Sequence, residues 1–317
     1  MKTERINADK PHLWKADVAA SVDQFNRWFM QFAPEAFRKT RVTTTEHVKA
    51  ALLATDDLRQ LTPDMLKAHP DALPTLRMAT APPLAVDRLI GLANVSKNLV
   101  GRMEEGKLPT KMNDSDRDTE LTAITRVVIQ LLDRDIFPWL ESAKTPGEHE
   151  RTRAATIVAD RLCRAGSDVI VRGARKRHQF SVIAVYLESR GYRQVVHPLD
   201  QQLPRNDPGT YTLGVRVPLV MGRESVMAAD MLIEPHDPNA RTILLDVRCA
   251  LSFAAANRHS ASDALKFREF HWTYHDHATF AVMLGGYFDP GYLGTQAAEG
   301  SDWIWQHRLE DLATLGV

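Results

Sequence analysis

Met227-Ala-Ala-Asp230-Met-Leu-Ile233 and, a short loop later, Thr242-Ile-Leu-Leu-Asp246-Val-Arg248 decide how this chain is read. Each is an apolar, strand-like run carrying one acid, and the second adds a cation two residues beyond its acid. Side chains alternate along a strand, so Asp246 and Arg248 share a face while Leu245 and Val247 turn into a core. Pairing the two strands brings Asp230 beside them and sets two carboxylates and one positive charge at a sheet edge. Two carboxylates can hold Mg²⁺, and a neighbouring cation can steady the charge of a phosphorane or position a water. A plainer origin for the same pattern is an acid at a strand end plus a surface ion pair, and the two strands alone leave both open.

Working outward, the segments around these strands read as a sheet core. Tyr192–Val196, Thr210–Val217, Val226–Ile233 and Thr242–Arg248 are strand-like, and loops marked by Pro198, Pro204, Pro208-Gly209 and Pro235-His-Asp-Pro238 separate them. A helix from about Ala154 to Cys163 and a basic helix through Glu188, closed by Gly191, come before them. A helix from Ser262 to Tyr274 and a strand at Phe280–Leu284 come after. The first half reads as helical. Val18, Val22, Phe25, Trp28, Phe29 and Phe32 recur at helical spacing, with Pro34 as a stop or a new start. A second helix runs from Thr45 to Leu58, and Thr62-Pro63-Asp64 opens a third with Thr62 as its N-cap. Helices also follow Pro82-Pro83 and span Leu121–Leu132, and Thr145–Glu150 is the expected hinge. The expected architecture is α/β (α+β). An all-helical region over residues 1–150 precedes a mixed sheet flanked by helices over 151–317, the order of a mixed-sheet nuclease core, and the two acids with their cation are the minimal outfit of a metal-dependent nuclease of the PD-(D/E)xK kind.

Composition bounds the class without naming it. With 317 residues, 44% hydrophobic and 25% charged, the chain can bury a real core. It has no apolar run of membrane-spanning length, and Met1-Lys-Thr-Glu-Arg5 lacks a signal-peptide core, so no membrane partner and a cytoplasmic location are expected. Cys163 and Cys249 lack metal-ligand spacing and read as reduced structural thiols. The formal net charge is zero, yet Arg151–Phe180 holds eight Lys/Arg against Asp160 and Asp168. Such a stripe either neutralises phosphates or is an ordinary solvated helix face. His271, His275 and Asp276 form a rival metal set, but no Glu lies between the histidines, and a wet helix terminus explains them equally. Trp303, Trp305, Tyr287 and Tyr292 read as packing aromatics rather than base-stacking ones.

A resemblance adds to this. Ile6-Asn-Ala-Asp-Lys-Pro-His12 with Asn26-Arg-Trp-Phe29, and Thr75–Pro83 with Asp87–Gly91, resemble the XamI/SalI-type restriction endonucleases. So do Gly286-Tyr-Phe-Asp289, Gly291–Gly294, Ala297–Gly300 and Trp303–Arg308, and the likeness runs in order from residue 6 to the end. It implies a type II endonuclease that cuts short palindromic sites in double-stranded DNA with Mg²⁺, as a homodimer with each subunit cutting one strand. It sets Asp230 and Asp246 on the family's two acidic positions, with the Val247 carbonyl as a further metal ligand and Arg248 as the third catalytic position. The basic segment itself offers Arg172, Arg175, Lys176 and Arg177 as DNA contacts, and Asn257, Arg258 and Lys266, which match the family, are added to them. The chain departs from the family at Arg248, where the family has Lys. Arginine holds its proton and cannot act as a base. Cys249–Ala256 replaces a polar, basic run, and Arg175-Lys176-Arg177 stands where the family shows a Glu within a basic cluster. A catalytically impaired DNA-binding relative is therefore the alternative.

Overall fold

The computed structural model describes residues 5–142, 144–196, 207–221, 223–257, 268–274 and 277–317. Helices come first: α1 (Pro11–Ala54), α2 (Pro63–Ala68), α3 (Leu73–Met78), α4 (Val86–Ala93), α5 (Lys97–Glu104), α6 (Asp114–Leu131), α7 (Glu148–Ala165) and α8 (Ser167–Ser189). Then follow β1 (Arg193–Gln194), β2 (Thr210–Met221), β3 (Arg223–Glu234), β4 (Thr242–Ala250), α9 (Phe253–Asn257), β5 (Ala278–Gly286), α10 (Pro290–Ala298) and β6 (Trp303–Trp305). Residues 268–274 are also helical. The mixed α/β class read from the sequence is the one found. Among the described residues no helix is long and apolar enough to cross a membrane.

Local chemistry sets several boundaries as expected. Thr62 accepts a hydrogen bond from the Met65 amide, with Pro63 in the first helical position. The helix after Pro82-Pro83 divides in two, because Asn94 takes a left-handed C-cap and Ser96 caps α5 through the Leu99 amide. Pro34 does not end its helix: α1 runs unbroken through it over 44 residues. A proline inside a helix removes one hydrogen bond, a loss that an exposed position can share with water. Pro34 is exposed, and it is also where the chain passes between compact units.

Those units are discontinuous. One comprises residues 1–34 and 171–317, the other residues 35–170. The division does not fall at residue 150, since the first half of α1 and most of α8 cluster with the sheet. The helical unit is built on Leu52, Leu66, Leu76, Leu89, Leu99, Ile124, Phe137 and Val158.

In the sheet unit the strand order is β1-β2-β3-β4-β5-β6. β1 lies parallel to β2, β2–β3–β4 are antiparallel, and β4–β5–β6 are parallel. Ile243, Leu245 and Val247 of β4 pack with Met231, Ile233 and Met283 against Ile183 and Leu187 of α8. Leu244 turns to the opposite face, with Leu232, Met227, Ala229 and Phe270. β4 is thus buried on both faces, as a central strand in a helix-flanked sheet should be.

Residues 6–34 are bound to the C-terminal strands. Asp302 accepts from the backbone amides of Ile6, Asn7 and Ala8, and Asn7 Nδ2 donates to the Trp303 carbonyl at 2.9 Å. Arg308 donates to Asp17 at 2.7 Å, while Ser21 Oγ bridges the Gly286 carbonyl and amide, each at 2.9 Å. Trp303 and Trp305 are fully buried on β6, a strand the sequence reading did not foresee, and they pack the core as expected.

Candidate active site

The site grows out of a gap in the sheet. β3 and β4 pair only from Met231↔Leu245 to Ile233↔Ile243, and beyond that point they part. Asp230 stands at the parting. In the β2–β3 ladder its register partner is Gly214, whose φ of +68° lies in the left-handed region, and that pair alone drops out of the hydrogen-bonded series. The hairpin also turns over there: Met231 and Ile233 pack toward α8, whereas Met227 and Ala229 pack on the other face. The twist frees the Asp230 side chain to do what a strand backbone would have done, and its Oδ2 accepts from the Val247 amide at 2.9 Å.

Val247 is buried, and its amide sits one peptide unit from Asp246. A strand residue's N–H and C=O leave on the same edge, so the Val247 carbonyl opens toward the same gap as Asp230. Asp246 and Arg248 share a face as expected, with Arg248 Nη2 2.6 Å from Asp246 Oδ2 and the Asp246 side chain only 9% exposed. The cluster lies inside the sheet, between β3 and β4, rather than at its edge. Carboxylate and carbonyl oxygens are hard donors of the kind Mg²⁺ takes, so Asp230, Asp246 and the Val247 carbonyl fit that ion by type.

A second cation reaches the site from α8. Lys176 Nζ is 2.6 Å from Asp230 Oδ1. Arg172, Lys176 and Gln179 lie on one helix face and line a cavity of about 220 Å³ together with Val247, Arg248 and Ala256. Lys176 was expected among the DNA contacts; here it is paired with Asp230. The sequence carried a signal for this, because Lys176 continues the stripe Phe180, Ile183, Leu187 at helical spacing.

Arg175 is a correction. It is fully buried, donates to Gln306 Oε1 at 2.7 Å and lies over the rings of Phe25 and Trp28 at 5.5 and 5.0 Å. Burial lowers its pKa from the ordinary value. Its guanidinium belongs to the core and does not face a phosphate. Beside it, burial pushes the Cys249 thiol up to about 11, with Arg175 pulling the other way, so this thiol is neutral at physiological pH. Both cysteines are free.

Arg172 and Arg177 are exposed on α8. Earlier in the basic segment, Arg151, Arg161 and Arg164 belong to the helical unit and are engaged by Asp57, Asp133 and Asp160 there. Asn257 ends α9, while Arg258 and Lys266 lie outside the described residues. His275 and Asp276 of the rival metal set also lie outside them, and among the described residues no three His, Cys, Asp or Glu side chains form a metal group.

Comparison with known proteins follows the same lines. The type II restriction enzyme SalI of Streptomyces albus G is 42% identical over 314 residues, covering 98% of this chain and all of that protein. Among solved structures, protein VC1899 from Vibrio cholerae aligns with 84% of this chain and 55% of its own length, at 13% identity and a TM-score of 0.28. A likeness that slight carries no information about fold or function. Residues 56–305, which contain Asp230, Asp246 and Arg248, match the XamI restriction endonuclease family. The chain belongs to the XamI restriction endonuclease family.

Proposed function

We propose that this chain is a Mg²⁺-dependent type II restriction endonuclease with a PD-(D/E)xK-type site, which hydrolyses phosphodiester bonds in double-stranded DNA at a short palindrome. The observation that carries this is the Asp230 carboxylate bound to the Val247 amide where β3 and β4 part, one peptide unit from Asp246. Asp230, Asp246 and the Val247 carbonyl would hold the metal. Held there, Mg²⁺ would supply positive charge against the phosphate and make water a better nucleophile near neutral pH. In the reaction, water oxygen forms a new bond to phosphorus and the bond to the leaving sugar oxygen breaks. One proton leaves the water and one is taken up by the leaving oxygen, giving a phosphate monoester and a sugar hydroxyl.

The protein's own part is to hold the two acids largely buried where β3 and β4 part and to set cations against the phosphate. Arg172 and Arg177, exposed on α8, fit phosphate contacts, with Asn257, Arg258 and Lys266 as further candidates. A palindromic site read by a two-fold homodimer would give each subunit one strand to cut.

One observation favours the impaired alternative. Both acids already have a cation at 2.6 Å, and such pairs could quench the site. The separating experiment is digestion of bacteriophage genomic DNA with the purified protein, with and without Mg²⁺. Discrete fragments formed only with Mg²⁺ support the endonuclease. Tight binding without cleavage in Mg²⁺ or Mn²⁺ supports the impaired relative.

A further inference from the structure

We propose that Lys176, reaching in from α8, is the cation that acts on the scissile phosphate, and that Arg248 serves to hold Asp246 in place. This rests on the nuclease reading above and names a residue to which that reading gives no part in the reaction.

Geometry divides the two cations. Arg248 comes from the same strand as its acid and closes a 2.6 Å contact onto Asp246, with its side chain 26% exposed. A guanidinium so engaged fixes the carboxylate's orientation. Lys176 comes from a different element, and its side chain, 43% exposed, lines the cavity. Its acid, Asp230, is held independently through the other carboxylate oxygen by the Val247 amide. Asp230 therefore keeps its place without Lys176, and the ammonium can exchange Asp230 for an incoming phosphate oxygen without dismantling the site.

The helix that carries Lys176 is pinned in rotation. Arg175 is locked between Gln306 and two aromatic rings, and Gln179 donates to Gln306 at 3.1 Å. The ammonium also lies 5.6 Å from the Phe180 ring centroid, one helical turn on, which guides its stem toward the strands. Lys176 is the one lysine among the described residues lining this cavity. A compact ammonium with three donors can touch Asp230 and a phosphate oxygen together, a geometry that a planar fork already committed to Asp246 does not offer. In this role Lys176 donates hydrogen bonds to the attacked phosphate and is not consumed.

The test compares Lys176→Gln and Arg248→Lys with the wild-type protein on bacteriophage DNA. Single-turnover cleavage in Mg²⁺ and DNA affinity without metal are both measured. Lys176→Gln should slow cleavage by roughly 100-fold, the order expected for loss of one transition-state donor, with DNA affinity within about threefold. Arg248→Lys, which keeps a cation beside Asp246, should lose less rate than Lys176→Gln, and a larger loss overturns this division of roles. A fall of less than about tenfold for Lys176→Gln, or a loss of binding that matches the loss of rate, overturns the proposal. Should the Gln variant fail to fold, Lys176→Met keeps the stem against Phe180 and is judged by the same criterion.

Mn²⁺ binding to the DNA-free protein separates this proposal from the nuclease reading. Lys176→Gln removes a competitor for Asp230 and should tighten Mn²⁺ binding several-fold even if the wild-type protein cuts nothing. In that case the nuclease reading fails and the placement of Lys176 stands, whereas an unchanged Mn²⁺ affinity overturns the placement.

Discussion

Replacing Asp230 by Ala probes the gap between β3 and β4 directly, because that carboxylate closes it. The substitution removes the acceptor of the Val247 amide and the partner of Lys176. A hydrogen bond from a buried amide to a charged acceptor is worth about 1.5–3 kcal/mol. The ion pair adds only about 0.5 kcal/mol, since Lys176 is nearly half exposed and water screens it. Asp230→Ala should therefore weaken this part of the sheet by about 2–3 kcal/mol. Asp230→Asn retains an oxygen that can accept from Val247 and should cost about 1 kcal/mol or less. Hydrogen exchange at Val247, read by mass spectrometry of β4 peptides, converts these energies to rates. The Ala variant should exchange roughly 30- to 150-fold faster than wild type and the Asn variant only a few-fold faster. If Val247 exchanges within about threefold of wild type in Asp230→Ala, the carboxylate does not close the gap and the site is built differently.

Two further predictions concern the surroundings of the site. Arg172→Gln and Arg177→Gln should each weaken binding to any DNA sequence and flatten its salt dependence by about 0.9 log unit per lost phosphate contact, whereas Arg175→Gln should lower thermal stability, read by melting, because that cation is in the core. Gly286→Ala should destabilise the sheet unit by about 2 kcal/mol or more, seen in a urea titration, since Gly286 has φ +104° and an added Cβ would clash with the Ala250 carbonyl oxygen.

Much of this was legible in the chain because it is local. The alternation in Thr242–Arg248 correctly set Leu245 and Val247 in the core and Asp246 with Arg248 on one face. Thr62-Pro63 announced a helix start from capping chemistry alone. The failures are long-range or depend on context. Pro34 reads as a stop, but its exposed position lets α1 continue. Arg175 was grouped by charge with its neighbours, although 175, 179, 183 and 187 form one buried stripe at a spacing of four that periodicity could have revealed. Helical spacing puts Lys176 on the side of α8 that faces the sheet, but its meeting with Asp230 spans 54 positions and hangs on the turnover of the β2–β3 hairpin at Gly214, and that turnover no local pattern encodes. Likewise the anchoring of Asn7 and Asp17 by Asp302 and Arg308 joins the two ends of the chain. The resemblance had marked both ends without showing that they touch.

The most direct test of the central claim is cleavage of duplex bacteriophage DNA in Mg²⁺ by Asp230→Asn and Asp246→Asn beside the wild-type protein, with folding checked by circular dichroism and DNA binding by gel shift. Both variants should fold and bind, and both should lose cleavage while wild type yields discrete fragments. A variant that cuts at near the wild-type rate would show that its carboxylate is not part of the active site.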